Sequence, residues 1–154
     1  MNKQKSKAAL EFQDVVYQYF KEEWGYNLIH HTSIEKQYQE GENVQGIEIK
    51  HDQRFKQNSN NLFISVKRTY WDREATSGIM KEHNKRFYVQ GNETKFYIFS
   101  LKQIREYYLQ NNPTLIKGYT TAGGGIEYGF LLNEQHADQL AFEVFSNQLQ
   151  LSLS

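Results

Sequence analysis

The sequence predicts an α/β fold, a single layered domain with a central mixed β-sheet flanked by helices. Three observations predict it. A helical stripe of apolar residues opens the chain, alternating apolar residues then mark successive strands, and two further helical stripes follow. At 154 residues the chain has the length of one core, and no internal repeat or linker divides it, so residues 1–154 read as one domain.

Taken in order, Phe12, Val15, Val16, Tyr19 and Phe20 recur at helical spacing and predict a helix over residues 8–24, ended by Gly25. Residues 26–31 read as a strand, and the polar stretch after them has no clear boundaries. Residues 44–52 alternate, with Ile47 and Ile49 on one face and Glu48, Lys50 and Asp52 on the other. A polar link leads to a second strand, 62–68, where Leu62, Ile64 and Val66 point one way and Phe63, Ser65 and Lys67 the other. This strand is expected to pair with the first.

Thr76-Ser77-Gly78 marks a turn or a helix start. Two aromatic-rich strands, 86–90 and 95–100, then flank a tight reversal at Gly91-Asn92. Ser100 with Gln103 matches a capping box, and Leu101, Ile104 and Tyr108 supply a helical stripe that Asn111-Asn112-Pro113 stops. After the flexible Gly123-Gly124-Gly125, residues 126–132 read as a strand. Ala137, Leu140, Ala141 and Val144 predict a last helix.

Composition removes several function classes. With no Cys there is no disulfide framework, thiolate metal site or cysteine nucleophile, so any metal must use oxygen or imidazole. No apolar run approaches the ~20 residues that cross a bilayer, and residues 1–7 are not followed by a secretory core. No membrane partner and an intracellular, cytoplasmic location are therefore expected. The 23 aromatics and single Pro argue for a folded chain despite a mean hydropathy of -0.79. The histidines, His51 included, lack metal-ligand spacing, and the glycine run lacks the Gly-Lys-Ser/Thr of a phosphate loop.

Lys plus Arg equals Asp plus Glu at 18 each, yet the charge is unevenly spread. Residues 50–86 carry 9 bases against 4 acids, a net +5, whereas residues 119–154 carry 4 acids and no base. Such a basic middle third attracts phosphates, the main term in sequence-independent nucleic-acid binding, although uneven charge also occurs on ordinary surfaces. Tyr70-Trp71, beside Lys67, Arg68 and Arg73, reads equally as a base-stacking platform or as core.

The sharpest constellation is Gly46-Ile47-Glu48-Ile49-Lys50-His51-Asp52, then Asn61-Leu62-Phe63-Ile64-Ser65-Val66-Lys67. Phosphodiester hydrolysis needs oxygen ligands for a divalent ion, a water acidified by that ion, and a cation near the developing phosphorane charge. Glu48 and Asp52 offer the ligands, and Lys67 or Lys50 the cation. As a bland alternative, the same residues form the polar face of an exposed hairpin.

An acidic residue after a glycine on one strand, then an apolar strand ending x-x-Lys, resembles the PD-(D/E)XK nuclease superfamily. With Ser77-Gly78-Ile79 and a Tyr-rich strand following, it is similar to small phage-type members with a degenerate motif over residues 8–110. The resemblance implies a restriction-endonuclease-like α-β-β-β-α-β core and a metal-dependent DNA endonuclease using Mg²⁺, with Mn²⁺ able to substitute. Matched residue by residue, Glu48 takes the first acidic position, Ser65 that of the Asp/Glu, Lys67 that of the lysine, and Glu11 that of a helix glutamate. Ser65 departs from the pattern, a hydroxyl being a poorer ligand for a hard cation than a carboxylate. Asp52 is the nearest acid to compensate, ahead of Glu11, Asp72 and Glu74. A second alignment takes Glu48-Ile49-Lys50 as the E-x-K, with Glu35, Glu40 or Glu42 upstream. Lys50, Arg54, Lys56, Arg68 and Arg73 are expected to grip DNA phosphates. Small nucleases often act as homodimers, although no heptad or long apolar stripe marks an interface here. The rivals are a nuclease-like fold that only binds DNA, which Ser65 makes credible, and an interaction protein of a phage or mobile element.

Overall fold

The structure, a computed structural model, describes residues 6–29, 43–121 and 123–147. Helix α1 (Lys7–Trp24) starts where the Ser6 hydroxyl accepts the Ala9 N–H and ends at Gly25, left-handed at φ 63°. Among the described residues, eight strands follow in two sheets. The first holds β1 (Glu48–His51), β4 (Phe87–Gly91), β5 (Lys95–Ser100) and β8 (Glu143–Ser146), in that spatial order. Only β1 and β4 run parallel in it. The second, wholly antiparallel, has the order β3 (Glu74–Thr76), β2 (Asn61–Thr69), β7 (Ile126–Asn133), β6 (Ile116–Thr120). Helices α2 (Leu101–Asn111) and α3 (Glu134–Leu140) and a 3₁₀ turn at Gly78–Met80 are the other elements among the described residues.

The first sheet separates two cores. On one face, Phe12, Val16 and Phe20 of α1 pack with Ile47, Ile49, Val89, Phe96 and Ile98. On the other, Tyr88, Tyr97 and Phe99 pack with Leu62, Ile64, Phe130 and Leu132 of the second sheet, and with Ile104 and Ala137 of the helices. Glu48 and Lys50 alternate with Ile49, and their register partners are Tyr88 and Gln90. They therefore lie on the face turned from α1 toward the second sheet.

The general α/β class is as expected. In place of one central sheet, however, there are two, and β1 and β2 do not pair. Turns over residues 54–59, with Lys56 left-handed at φ 66°, carry the chain from one layer to the other. Asp52 and Gln90 then bridge the layers. Asp52 Oδ2 accepts the Phe63 N–H at 3.2 Å, and Gln90 donates to the Phe63 carbonyl at 2.8 Å. These side chains occupy the stretch of β2 edge that β3, paired only at Lys67–Thr69, leaves open.

Other elements shift locally. The reversal at Gly91-Asn92 and the helix begun by Ser100, whose hydroxyl accepts the Gln103 N–H, are present. The last helix stops at Leu140, and Val144 of its expected stripe lies in β8. Residues 26–29 form no regular element. His30 and His31, the other end of that expected strand, lie outside the described residues, as do Glu35, Glu40 and Glu42. No described helix is long and apolar enough to cross a membrane.

Candidate functional site

The polar groups converge where β1 meets the second sheet, around the turn from Ser77 to Asn84. Gly78 there is left-handed at φ 52°, and a Cβ on it would lie 2.2 Å from the Ser65 carbonyl oxygen, so only glycine fits this close approach. Beside it, the Ser77 hydroxyl lies 2.9 and 2.8 Å from the two oxygens of Glu127 on β7. Arg68 of β2 donates to Glu127 Oε1 through Nε at 3.0 Å and Nη2 at 2.6 Å. Glu127 is only 1 % exposed, and this guanidinium and hydroxyl are what keep a buried carboxylate partnered.

Glu48 reaches the same turn from β1. Its oxygens accept from Lys81 Nζ at 3.2 Å and Asn84 Nδ2 at 3.0 Å, and Asn84 also donates to the Gly78 carbonyl at 2.7 Å. The turn thus holds two carboxylates from different sheets, Glu48 through Asn84 and Glu127 through Ser77. Lys50 extends between the sheets to the Tyr119 hydroxyl of β6, its ammonium 4.8 Å from the ring centroid. Burial by itself pushes the Lys50 ammonium down, but Tyr119, then Glu48 and Glu127, hold it above its ordinary range. Burial, reinforced first by Glu48, pushes the Tyr88 hydroxyl far up, so Tyr88 remains a neutral donor, bonded to Gln90.

The expected site residues are dispersed by this arrangement. Glu48 and Lys50 stay together on one face. Asp52 is tied to the edge of β2 and to Gln90, whose amide it accepts at 2.8 Å. Ser65 is 2 % exposed, and its hydroxyl has no hydrogen-bond partner among the described residues. Lys67 departs from the expected face because of a bulge. Ser65 aligns with Gly129 and Lys67 with Tyr128, so Val66 is the inserted residue. Gly129 and Tyr128 point to opposite faces of β7, which puts Arg68, aligned with Glu127, on the Ser65 side and Lys67 on the other. Lys67 instead pairs with Glu74 at 3.5 Å and lies 5.7 Å from the Tyr128 ring centroid.

Glu11 is separate as well. It sits on α1, 4.0 Å from Lys7, in a polar cleft shared with His51 and Arg54 on the other side of the first sheet from Glu48. Of the expected phosphate grips, Lys56 is paired with Glu134 at 2.9 Å, Arg68 with Glu127, and Arg73 with Asp72 at 3.2 Å. Arg54 is exposed. Trp71 is 98 % exposed and hence is not core, while Arg73 stacks 4.2 Å from the Tyr70 ring centroid.

Sequence reading missed Glu127, Ser77, Lys81, Asn84 and Tyr119. Glu127 left one usable signal, a lone acid inside an otherwise apolar strand. Comparison with known proteins finds no family model, no curated protein and no solved structure that matches this chain.

Proposed function

We propose that the chain is a metal-dependent DNA endonuclease of the PD-(D/E)XK type, with its site at the seam between the two sheets. The observation that carries this reading is the placement of Glu48 and Lys50 on one face of β1, with Glu48 and Glu127 both bonded to the turn from Ser77 to Asn84. It favours the literal Glu48-Ile49-Lys50 as the E-x-K, with Glu127 as the second acid. No group of three or more His, Cys, Asp or Glu converges among the described residues. Magnesium nevertheless ordinarily takes one or two carboxylates and completes its shell with water and substrate phosphate, so the two carboxylates held by the Ser77–Asn84 turn are enough in number.

Glu48 and Glu127 would hold the ion, with the orphan Ser65 hydroxyl on the Glu127 side of the sheet. A bound Mg²⁺ acidifies a water and offsets charge on the phosphoryl oxygens. The protein's own groups supply the rest. Lys50, held charged, places a cation beside Glu48 where negative charge grows during attack on phosphorus. Lys81 and Asn84 fix the Glu48 carboxylate, and Arg68 and Ser77 fix that of Glu127, so both are oriented before substrate arrives.

The test is incubation of the purified protein with supercoiled and branched DNA in Mg²⁺ or Mn²⁺, beside Glu48→Gln. Cutting by the wild type that the variant loses supports the reading, and equal cutting rejects it. A second reading, a DNA-binding module without cleavage, is favoured by the commitment of Asp52 to the strand edge and by Ser65 at the acidic position. Calorimetric titration with Mn²⁺ separates them, since DNA binding without cation binding is what the module gives.

A further inference from the structure

A groove of about 840 Å³ runs from Asn84 along the start of β4 and the first two turns of α2. Four cations, Lys85, Arg86, Lys102 and Arg105, line it against one acid, Glu106. Lys85, Arg86 and Lys102 are exposed, and none of their side chains has a hydrogen bond or ion pair among the described residues. They differ in this from Lys56, Lys67, Arg68, Arg73, Lys81 and Lys95, which all have carboxylate partners. Arg105 is fixed as a wall, donating to the carbonyls of Ile79 at 2.6 Å and Lys81 at 2.8 Å.

Arg86 also sits in the left-handed region, at φ 64°, which an L side chain adopts at a free-energy cost. Its carbonyl accepts the Leu101 N–H at 2.8 Å, so the start of α2 holds the strained residue in place. Any residue can supply that carbonyl, and glycine would do so without strain. An arginine there keeps a cation at the groove.

We infer that this groove binds the phosphodiester backbone of DNA and leads it to Glu48. Two observations support that occupant: unpaired positive charge along a groove, which complements a polyanion, and continuity with the proposed site through Asn84, which lines the groove and donates to Glu48. The inference rests on the nuclease reading for the destination of the strand, and it names contacts outside those expected from the sequence.

Fluorescence anisotropy of a labelled 20-base-pair DNA duplex, without divalent cations, tests it across 50–200 mM salt. The full-length wild type is compared with Arg86→Gly, Lys102→Gln and the double variant. Each single change is expected to lower the slope of log affinity against log salt by about one, and the double variant to bind about tenfold or more weakly at a given salt. Arg86→Gly is expected to unfold at no lower urea than the wild type, so its weaker binding is not a folding defect. Wild-type affinity and slope in the double variant would overturn the inference. So would no duplex binding by the wild type at 50 mM salt, or poly-glutamate binding as tightly as DNA with the same dependence on the two residues. Cleavage with Mg²⁺ is scored separately. A wild type that binds through the groove and never cuts sinks the nuclease reading alone, while groove variants that bind and cut normally sink the groove alone.

Discussion

The Ser77 hydroxyl meets both oxygens of Glu127 across 50 residues of sequence, at 2.9 and 2.8 Å, in a site where the carboxylate is almost wholly buried. Removing a donor from a buried charge costs more than the net worth of an ordinary hydrogen bond. Ser77→Ala is therefore expected to lower stability by about 1–2 kcal/mol in urea denaturation, with the Arg68 contact retained. An unchanged midpoint would show that Glu127 does not need this donor.

The neighbouring glycine and Ser65 give opposite expectations. Gly78→Ala adds a Cβ 2.2 Å from a backbone oxygen at a residue with φ 52°, so a loss of about 2 kcal/mol or more is expected. Ser65→Ala removes a buried hydroxyl that has no partner among the described residues, so stability is expected to hold or to rise by about 1 kcal/mol. Denaturant midpoints of the two variants check both.

Asp52 tests what a candidate metal ligand does instead. Its carboxylate holds the Phe63 N–H and the Gln90 amide. Asp52→Ala is expected to cost about 2 kcal/mol of stability and to leave Mn²⁺ affinity in calorimetry unchanged. Loss of Mn²⁺ binding with stability intact would return Asp52 to the metal site.

Two imidazoles make stability depend on pH. Burial pushes both His51 and His83 below the ordinary 6.5, with Lys81 adding to the effect at His83. The unfolded imidazoles thus take up protons first as pH falls through 6.5, the unfolded state binds more protons, and stability declines toward the folded values. The urea midpoint should be lower at pH 5.5 than at pH 7.5, and the double change His51→Gln, His83→Gln should flatten that difference. An equal slope in the variant would assign it to other groups.

Local signals were legible in the sequence and long-range pairing was not. The α1 stripe, the reversal at Gly91-Asn92 and the Ser100 cap depend on neighbours within a few residues, which a sequence displays directly. The assignment of β1 and β2 to separate sheets depends on the path of residues 54–59 and on side chains bonding to the Phe63 backbone, which alternation does not encode. The bulge at Val66 had a further effect. Strict alternation puts Ser65 and Lys67 on one face, whereas one extra residue puts Arg68 there. The short strands β3 and β6, exposed at every position, showed no alternation of burial to read. Of the candidate site, Glu48 and Lys50 were legible because they alternate with Ile47 and Ile49. Glu127, far along the chain, comes to them only through the sheet packing.

Plasmid nicking in Mg²⁺ or Mn²⁺ tests the proposed site most directly when Lys50→Met and Lys67→Ala are compared with Glu48→Gln and the wild type. The expected result is nicking by the wild type, a fall of about 100-fold or more in Glu48→Gln and Lys50→Met, and near wild-type rates in Lys67→Ala. Activity that survives Glu48→Gln, or that is lost in Lys67→Ala and kept in Lys50→Met, would contradict a site built on the shared face of Glu48 and Lys50.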